Sequence, residues 1–431
     1  MIISDQKLQK AIQWNPFKQQ QEIIKAFNKK ETRELVICAG RRFGKSQLMS
    51  YLAIRELFSS HKDILILAAS YELTGRVIDQ IRKWLGTMNS SLQYQSRPFP
   101  KIYNPITGST IEGKSADSPE GILGKSYNLV IVDEAALLDR RIYETYVYPT
   151  TSSVLGKTVY ISTPRGKNWF YEKWLENNED GNSFQFSSIE SEYFTKEAWE
   201  DAQKKLPERV FNQEFKAIFE EGTANVFRGI RDIIDDTLKE PEPGGKYIMG
   251  LDLAKIQDFT VMTIVDKNTH NVVFWDRFQI AKYPLQIARI EAAANKYNAL
   301  VVAETNNIGL VVIDELRARN VKVEDFTSVG TISKDSAKKG TKERLINKLS
   351  VDIENKNIHI PQNTILIDEL GAYSYKITPS GNFTYSAPVG LHDDCVMSLA
   401  LANWTLKGRT REKRNEARRK QMFPKRKFQY F

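Results

Sequence analysis

The chain has 431 residues, 41% of them hydrophobic, which is enough apolar material for two cores of ordinary domain size. No apolar run approaches the ~18 residues that a membrane span needs, and residues 1–17, MIISDQKLQKAIQWNPF, lack the basic start and apolar centre of a signal peptide, so a cytoplasmic protein with no membrane partner is expected. The formal charge of +9 is not spread along the chain: residues 405–431 carry eleven Lys or Arg against two Glu, and the rest balances at 51 basic and 51 acidic residues. Such a run is either a solvated end or a phosphate-binding arm, and independent signs of DNA handling are what favour the arm. Cys38 and Cys395, each in an apolar or helical context, exclude a disulfide framework and a zinc site and are expected as small buried hydrophobes.

Taken in order, short apolar runs alternate with helical stretches: ELVICA (34–39), DILILAAS (63–70), NLVIVDEAA (128–136) and KTVYISTP (157–164). Runs that are apolar at every position read as strands buried on both faces, hence as a mostly parallel sheet covered by helices. The clearest break follows at KEPEPGG (239–245), and a linker at 241–245 is expected between a domain of residues 1–240 and one of residues 246–406, with 407–431 as a basic tail. The second domain has another order. YIMGLDLA and FTVMTIVDKNTHNVVFWDRFQI predict an antiparallel meander of three strands. A helix from about Pro284 to Tyr297, the strand ALVVAETN, a helix near 308–319, a strand in 321–329, a helix near 340–356 and a closing helix at 393–406 complete a mixed α/β pattern.

Two groups of residues carry chemistry in the first domain. Gly44-Lys45-Ser46 follows a buried strand and opens a helix, the setting in which backbone N–H groups and a helix amino end face phosphate; Gly40 sits one place later than the usual first glycine. Some 85 residues on, the strand LVIVDEA ends in two carboxylates. A nucleotide's Mg²⁺ needs a fixed anionic partner, which Asp133 suits together with Ser46, and hydrolysis needs a group that positions water, which Glu134 suits. In the second domain acids end separate elements: Asp252 in GLDLA, Glu304 in VVAETN, Asp393 and Asp394 in LHDDCVMSLALA. Three or four converging carboxylates are what two Mg²⁺ or Mn²⁺ ions about 4 Å apart require for phosphodiester hydrolysis.

AGRRFGKS, LVIVDEAA and VYISTPRG together resemble the ATPase half of the large terminase subunits of tailed bacteriophages, and the acids of residues 246–406 resemble the nuclease half of the same family. The resemblance implies a P-loop ATPase followed by a ribonuclease H-like nuclease with a mixed sheet, using ATP and Mg²⁺, with Mn²⁺ able to substitute in the nuclease site. It implies Arg41 as an arginine finger acting in cis, with Arg42 matching the arginines of the family's loop, Thr163 as the residue coupling hydrolysis to motion, and Gln20, within NPFKQQQEII, as the adenine-reading glutamine. Asp252 would bridge both metals, Glu304 would ligate one, and Asp394 the other, with Asp393 beside it. Asp258 is a weaker accessory candidate, and His392 is expected to cap the closing helix. Double-stranded DNA, a portal on a procapsid, a small terminase subunit and a ring of copies are the implied partners, in the host cytoplasm. One departure stands out: the arginine that many members place ahead of the second motif is Leu123 here, with Lys125 just beyond, so no finger acting in trans is assigned. A repair helicase-nuclease and a catalytically silent DNA-binding scaffold are the alternatives. The intact Lys45, Glu134, Asp252 and Glu304 count against the scaffold, and the meander after residue 246 against a second helicase lobe.

Overall fold

The computed structural model describes residues 4–86, 92–220, 223–253, 259–279, 282–304, 309–326, 342–377, 383–388 and 392–406. Asp258 and the basic tail lie outside the described residues. The chain divides into two compact units, one built mainly from residues 1–203 and 208–222, the other mainly from residues 223–376 and 383–431.

The first unit is an eight-stranded sheet. Its strands in chain order are β1 (Glu34–Ala39), β2 (Asp63–Ala68), β3 (Gln93–Gln95), β4 (Lys101–Asn104), β5 (Ser109–Ser115), β6 (Leu129–Asp133), β7 (Lys157–Ser162) and β8 (Ser183–Phe186), and they lie side by side as β3-β4-β5-β2-β6-β7-β1-β8. From β5 to β8 every pairing is parallel. Side chains alternate across the sheet, so Leu35, Ile37, Ile64, Ile66, Leu129 and Ile131 enter one core while Val36, Cys38, Leu65, Leu67, Val130 and Val132 enter the other. That is why the strands read as unbroken apolar runs.

The antiparallel arm β3-β4-β5 has no such signature. Its inner strand, STIEGKS, buries Glu112 and Lys114 at 4% and 7% exposure, so charges hide it from a hydrophobicity pattern. They are tolerated because they are paired: Glu112 accepts from Lys125 Nζ at 3.0 Å and from the Tyr127 hydroxyl at 3.0 Å, and Lys114 Nζ donates to Tyr127 and to the Gly121 carbonyl.

The second unit holds a five-stranded mixed sheet and a small three-stranded one. With β9 (Thr223–Asn225), β10 (Tyr247–Asp252), β11 (Thr260–Asp266), β12 (Val272–Phe278), β13 (Leu300–Glu304), β14 (Val323–Phe326), β15 (Ser374–Ile377) and β16 (Phe383–Ser386), the orders are β12-β11-β10-β13-β14 and β16-β15-β9. The meander β10-β11-β12 is antiparallel, while β13 and β14 join it in parallel. One face packs on the helices Tyr283–Tyr297 and Gly309–Ala318. The other receives the helix Asp394–Trp404 at very close range: a Cβ on Gly250 would fall 1.9 Å from the Ser398 carbonyl oxygen, so only glycine fits. Ser398 Oγ locks the contact by donating to Gly250 O at 2.9 Å.

The division between units falls at 222/223, ahead of the Pro-Gly stretch expected as the linker. Residues 223–239 are tied into the second unit by backbone pairing that composition does not reveal. β9 pairs with β15, Ile234 bridges Ile360, and Lys239 N donates to Val273 O.

Candidate active sites

In the first unit β1, β7 and β6 are neighbours and parallel, so the residues that follow them gather at one edge, where open α/β sheets place their ligands. The loop after β1 turns through Arg42 (φ +64°) and Gly44 (φ +91°) into the helix Lys45–Leu57. Lys45 Nζ folds back over it, donating to Ala39 O at 2.9 Å and Gly40 O at 3.3 Å. At the end of β6, Asp133 is 7% exposed and accepts from Glu134 N. Burial first, then the Glu134 charge, pushes the Asp133 carboxyl up to about 7, against the pull of Lys45. Glu134 stands in the left-handed region (φ +49°), and its Oε2 accepts from Ser162 Oγ at 3.2 Å and lies 3.5 Å from the Thr163 hydroxyl, at the end of β7. Strain at a water-positioning acid and a hydroxyl reaching it from the next strand are a functional arrangement rather than a packing one.

Gln20 is the glutamine that reaches the loop. It is fully buried, its Nε2 lies 3.5 Å from Phe43 O, and its Oε1 is buried with no hydrogen-bond partner, whereas Gln21 turns back to Pro16 O. An acceptor left unpaired against a phosphate-type loop fits the amino edge of a base. Ser46 stands in the first helical turn, half-buried. Arg42 is exposed, and its carbonyl accepts from Ser191 Oγ at 3.0 Å. Leu123 is 47% exposed, and Lys125 is taken up by Asp63 (2.7 Å) and Glu112 (3.0 Å), so the basic residue nearest to the missing arginine is already paired within its own unit.

Sequence reasoning missed one residue here. Glu214, 6% exposed, holds Arg41 and Arg165 at once, each at 2.6 Å. A signal existed: Phe211, Glu214 and Phe215 are spaced as one helical face, which puts the acid among buried aromatics.

In the second unit Asp252 ends β10, Glu304 ends the adjacent parallel strand β13, and Asp394 opens the helix that packs across them. Burial, then the charges of Asp394, Asp393 and Glu304, holds the Asp252 carboxyl far above the usual carboxylate range, with Lys342 opposing. All four acids are therefore felt at one point. Among the described residues no three His, Cys, Asp or Glu side chains already stand together as a finished ligand set. The donor chemistry is nevertheless that of a hard divalent cation: oxygen ligands only, with more negative charge than the site neutralises by itself.

The helix start corrects one expectation and adds a partner. The N-cap is Asp393, not His392. Asp393 pairs with Lys342 at 3.2 Å, while the His392 ring packs edge-on against Phe259 and sets Nδ1 3.7 Å from Asp394 Oδ2. The N–H of Cys395, in the first helical turn, goes instead to Glu369, whose other oxygen faces Arg277 at 3.5 Å. Both cysteines are free and buried, their thiols raised by burial. Among the described residues no helix is long and apolar enough to cross a membrane.

Comparison with known proteins agrees with both sites. The family described as terminase large subunit, T4likevirus-type, N-terminal, matches residues 36–231. The terminase large subunit of Thermus virus P23-45 is 29% identical over 426 residues, covering 88% of this chain and 85% of that one. That of Escherichia phage T5 is 26% identical over 269 residues, covering 58% and 61%. A crystal structure of the large terminase of another thermophilic bacteriophage shares the fold across 91% of this chain and all of its own, with a TM-score of 0.54 at 14% identity. The chain belongs to the family of phage terminase large subunits.

Proposed function

We propose that this chain hydrolyses ATP to drive double-stranded DNA into a procapsid and cuts that DNA with a separate, metal-dependent nuclease. The observation that carries the motor half is the placing of Lys45, Asp133, Glu134 and Thr163 at the ends of neighbouring parallel strands. Lys45 and the amino end of its helix bind the phosphates, exchanging the two loop carbonyls for phosphoryl oxygens. Asp133 with Ser46 holds Mg²⁺, and Glu134 orients the attacking water and takes its proton. Thr163, beside Glu134, carries the change of state into β7.

In the nuclease, Asp252, Glu304 and Asp394 hold the cations, with Asp393 and Lys342 steadying the approach to the helix. Bound divalent cations supply an acidified water and offset the charge on the scissile phosphate, in Mg²⁺ or Mn²⁺. The basic tail adds affinity for DNA, and a portal, a small subunit and further copies of the chain are the partners, in the host cytoplasm. Lys45→Ala tests the assignment: ATP hydrolysis is lost while metal-dependent cutting survives, because the two sites belong to different compact units. Wild-type ATPase rates in that variant would end the phosphate-loop reading.

A further inference from the structure

Arg41 is an exposed member of the phosphate loop, its side chain 59% accessible, yet its partner Glu214 is only 8% accessible. A flexible arginine is thus tethered to a buried, fixed acid. Glu214 Oε2 takes Arg41 Nε at 2.6 Å, which leaves the terminal amino groups of Arg41 available, and its Oε1 takes Arg165 Nη1 at 2.6 Å. Arg165 follows Thr163 by two residues and is itself 16% accessible, with a buried Nε that has no hydrogen-bond partner.

The acid cannot drift from the loop. Glu214 O accepts from Arg41 N at 2.8 Å, and Ser188 bridges both segments, its N–H donating to Phe215 O at 2.7 Å and its Oγ to Arg41 O at 2.7 Å. A Cβ on Gly40 would lie 2.6 Å from Phe215 O, so the loop and the end of the helix Glu208–Glu214 are in direct backbone contact.

We propose that Glu214 is a positioning residue for ATP hydrolysis, aiming Arg41 from the phosphate loop and Arg165 from the end of β7 out of one buried carboxylate. The inference rests on the ATPase reading of the loop. One acid between two guanidiniums leaves a net positive charge, suited to a triphosphate, and removes the entropy that a free arginine would lose on closing over a phosphoryl group.

The test is a double-mutant cycle in the full chain, following kcat and KM for ATP and thermal melting in Glu214→Gln, Arg41→Ala and both together. Glu214→Gln should lower kcat by about 10- to 100-fold with KM changed less than about threefold, and should add little once Arg41 is gone. An equal loss in both backgrounds, or wild-type kcat in either single variant, overturns the proposal. If Glu214→Gln does not fold, Glu214→Asp takes its place: it keeps the charge but withdraws the carboxylate by one methylene. A kcat loss that Arg41→Ala abolishes then supports the proposal, and wild-type kcat overturns it. Lys45→Ala, run alongside, separates the two levels, since only the loop reading fails if that variant still hydrolyses ATP.

Discussion

A single carboxylate illustrates how burial and like charge set the chemistry of the second unit. Asp252 ends a strand that is buried along nearly its whole length, and three other acids act on it, so its ionised form is disfavoured until a cation arrives. Asp252→Asn should lower Mg²⁺- or Mn²⁺-dependent cutting of plasmid DNA by about a hundredfold or more, because the amide keeps the shape but loses the charge of a metal ligand. The same change should leave the metal-free protein melting at or above the wild-type temperature near pH 7, since the neutral amide no longer meets repulsion from Asp394, Asp393 and Glu304. A lower metal-free melting temperature would mean that Asp252 supports the fold rather than a metal.

Among the elements, β5 shows how a strand can be stabilised by charge. Burial alone would raise the Glu112 carboxyl, but Lys125, Lys114 and the Tyr127 hydroxyl outweigh it and bring it from 4.5 down to about 2. A depressed acid stabilises the fold above its unfolded pKa and loses that contribution as pH falls toward its folded one. Glu112→Gln should therefore cost about 3 kcal/mol at pH 7, where it also strands Lys125 and Lys114, and the gap from wild type should close between pH 4.5 and 2. Urea unfolding at pH 7, 4 and 3 checks both the size and the sign. A gap that widened on acidification would contradict the pairing.

For the whole molecule, the division at 222/223 makes a prediction about fragments. A piece beginning at 223 keeps β9 against β15 and Ile234 against Ile360, whereas one beginning at 245 leaves both places unpaired. The longer fragment should melt several degrees higher by calorimetry, as expected for strand pairing worth about 1–2 kcal/mol, and both should retain metal-dependent cutting. Deleting residues 408–431 removes ten basic and two acidic residues. DNA binding should weaken, and the log–log salt slope should flatten by about 0.9 for each phosphate that the tail had neutralised. ATPase activity should persist. An unchanged slope would make the tail a solvated end.

Sequence alone determined what depends on neighbours in the chain. The unbroken apolar runs that became β1, β2, β6 and β7, the meander of β10 to β12, the Gly-Lys-Ser turn into a helix, and the acids at strand ends all follow from local periodicity and from residues that finish an element. Tertiary structure alone decided the rest. Arg41 and Glu214 are 173 residues apart, Lys342 and Asp393 are 51, and Cys395 finds Glu369 across 26. Each looks like an ordinary surface charge or helix residue until folding supplies its partner. The arm containing Glu112 and the early unit boundary escaped notice for the same reason: a buried charge or a short unmarked strand is stable only against a partner that the chain reaches later, and no local pattern records where that partner is.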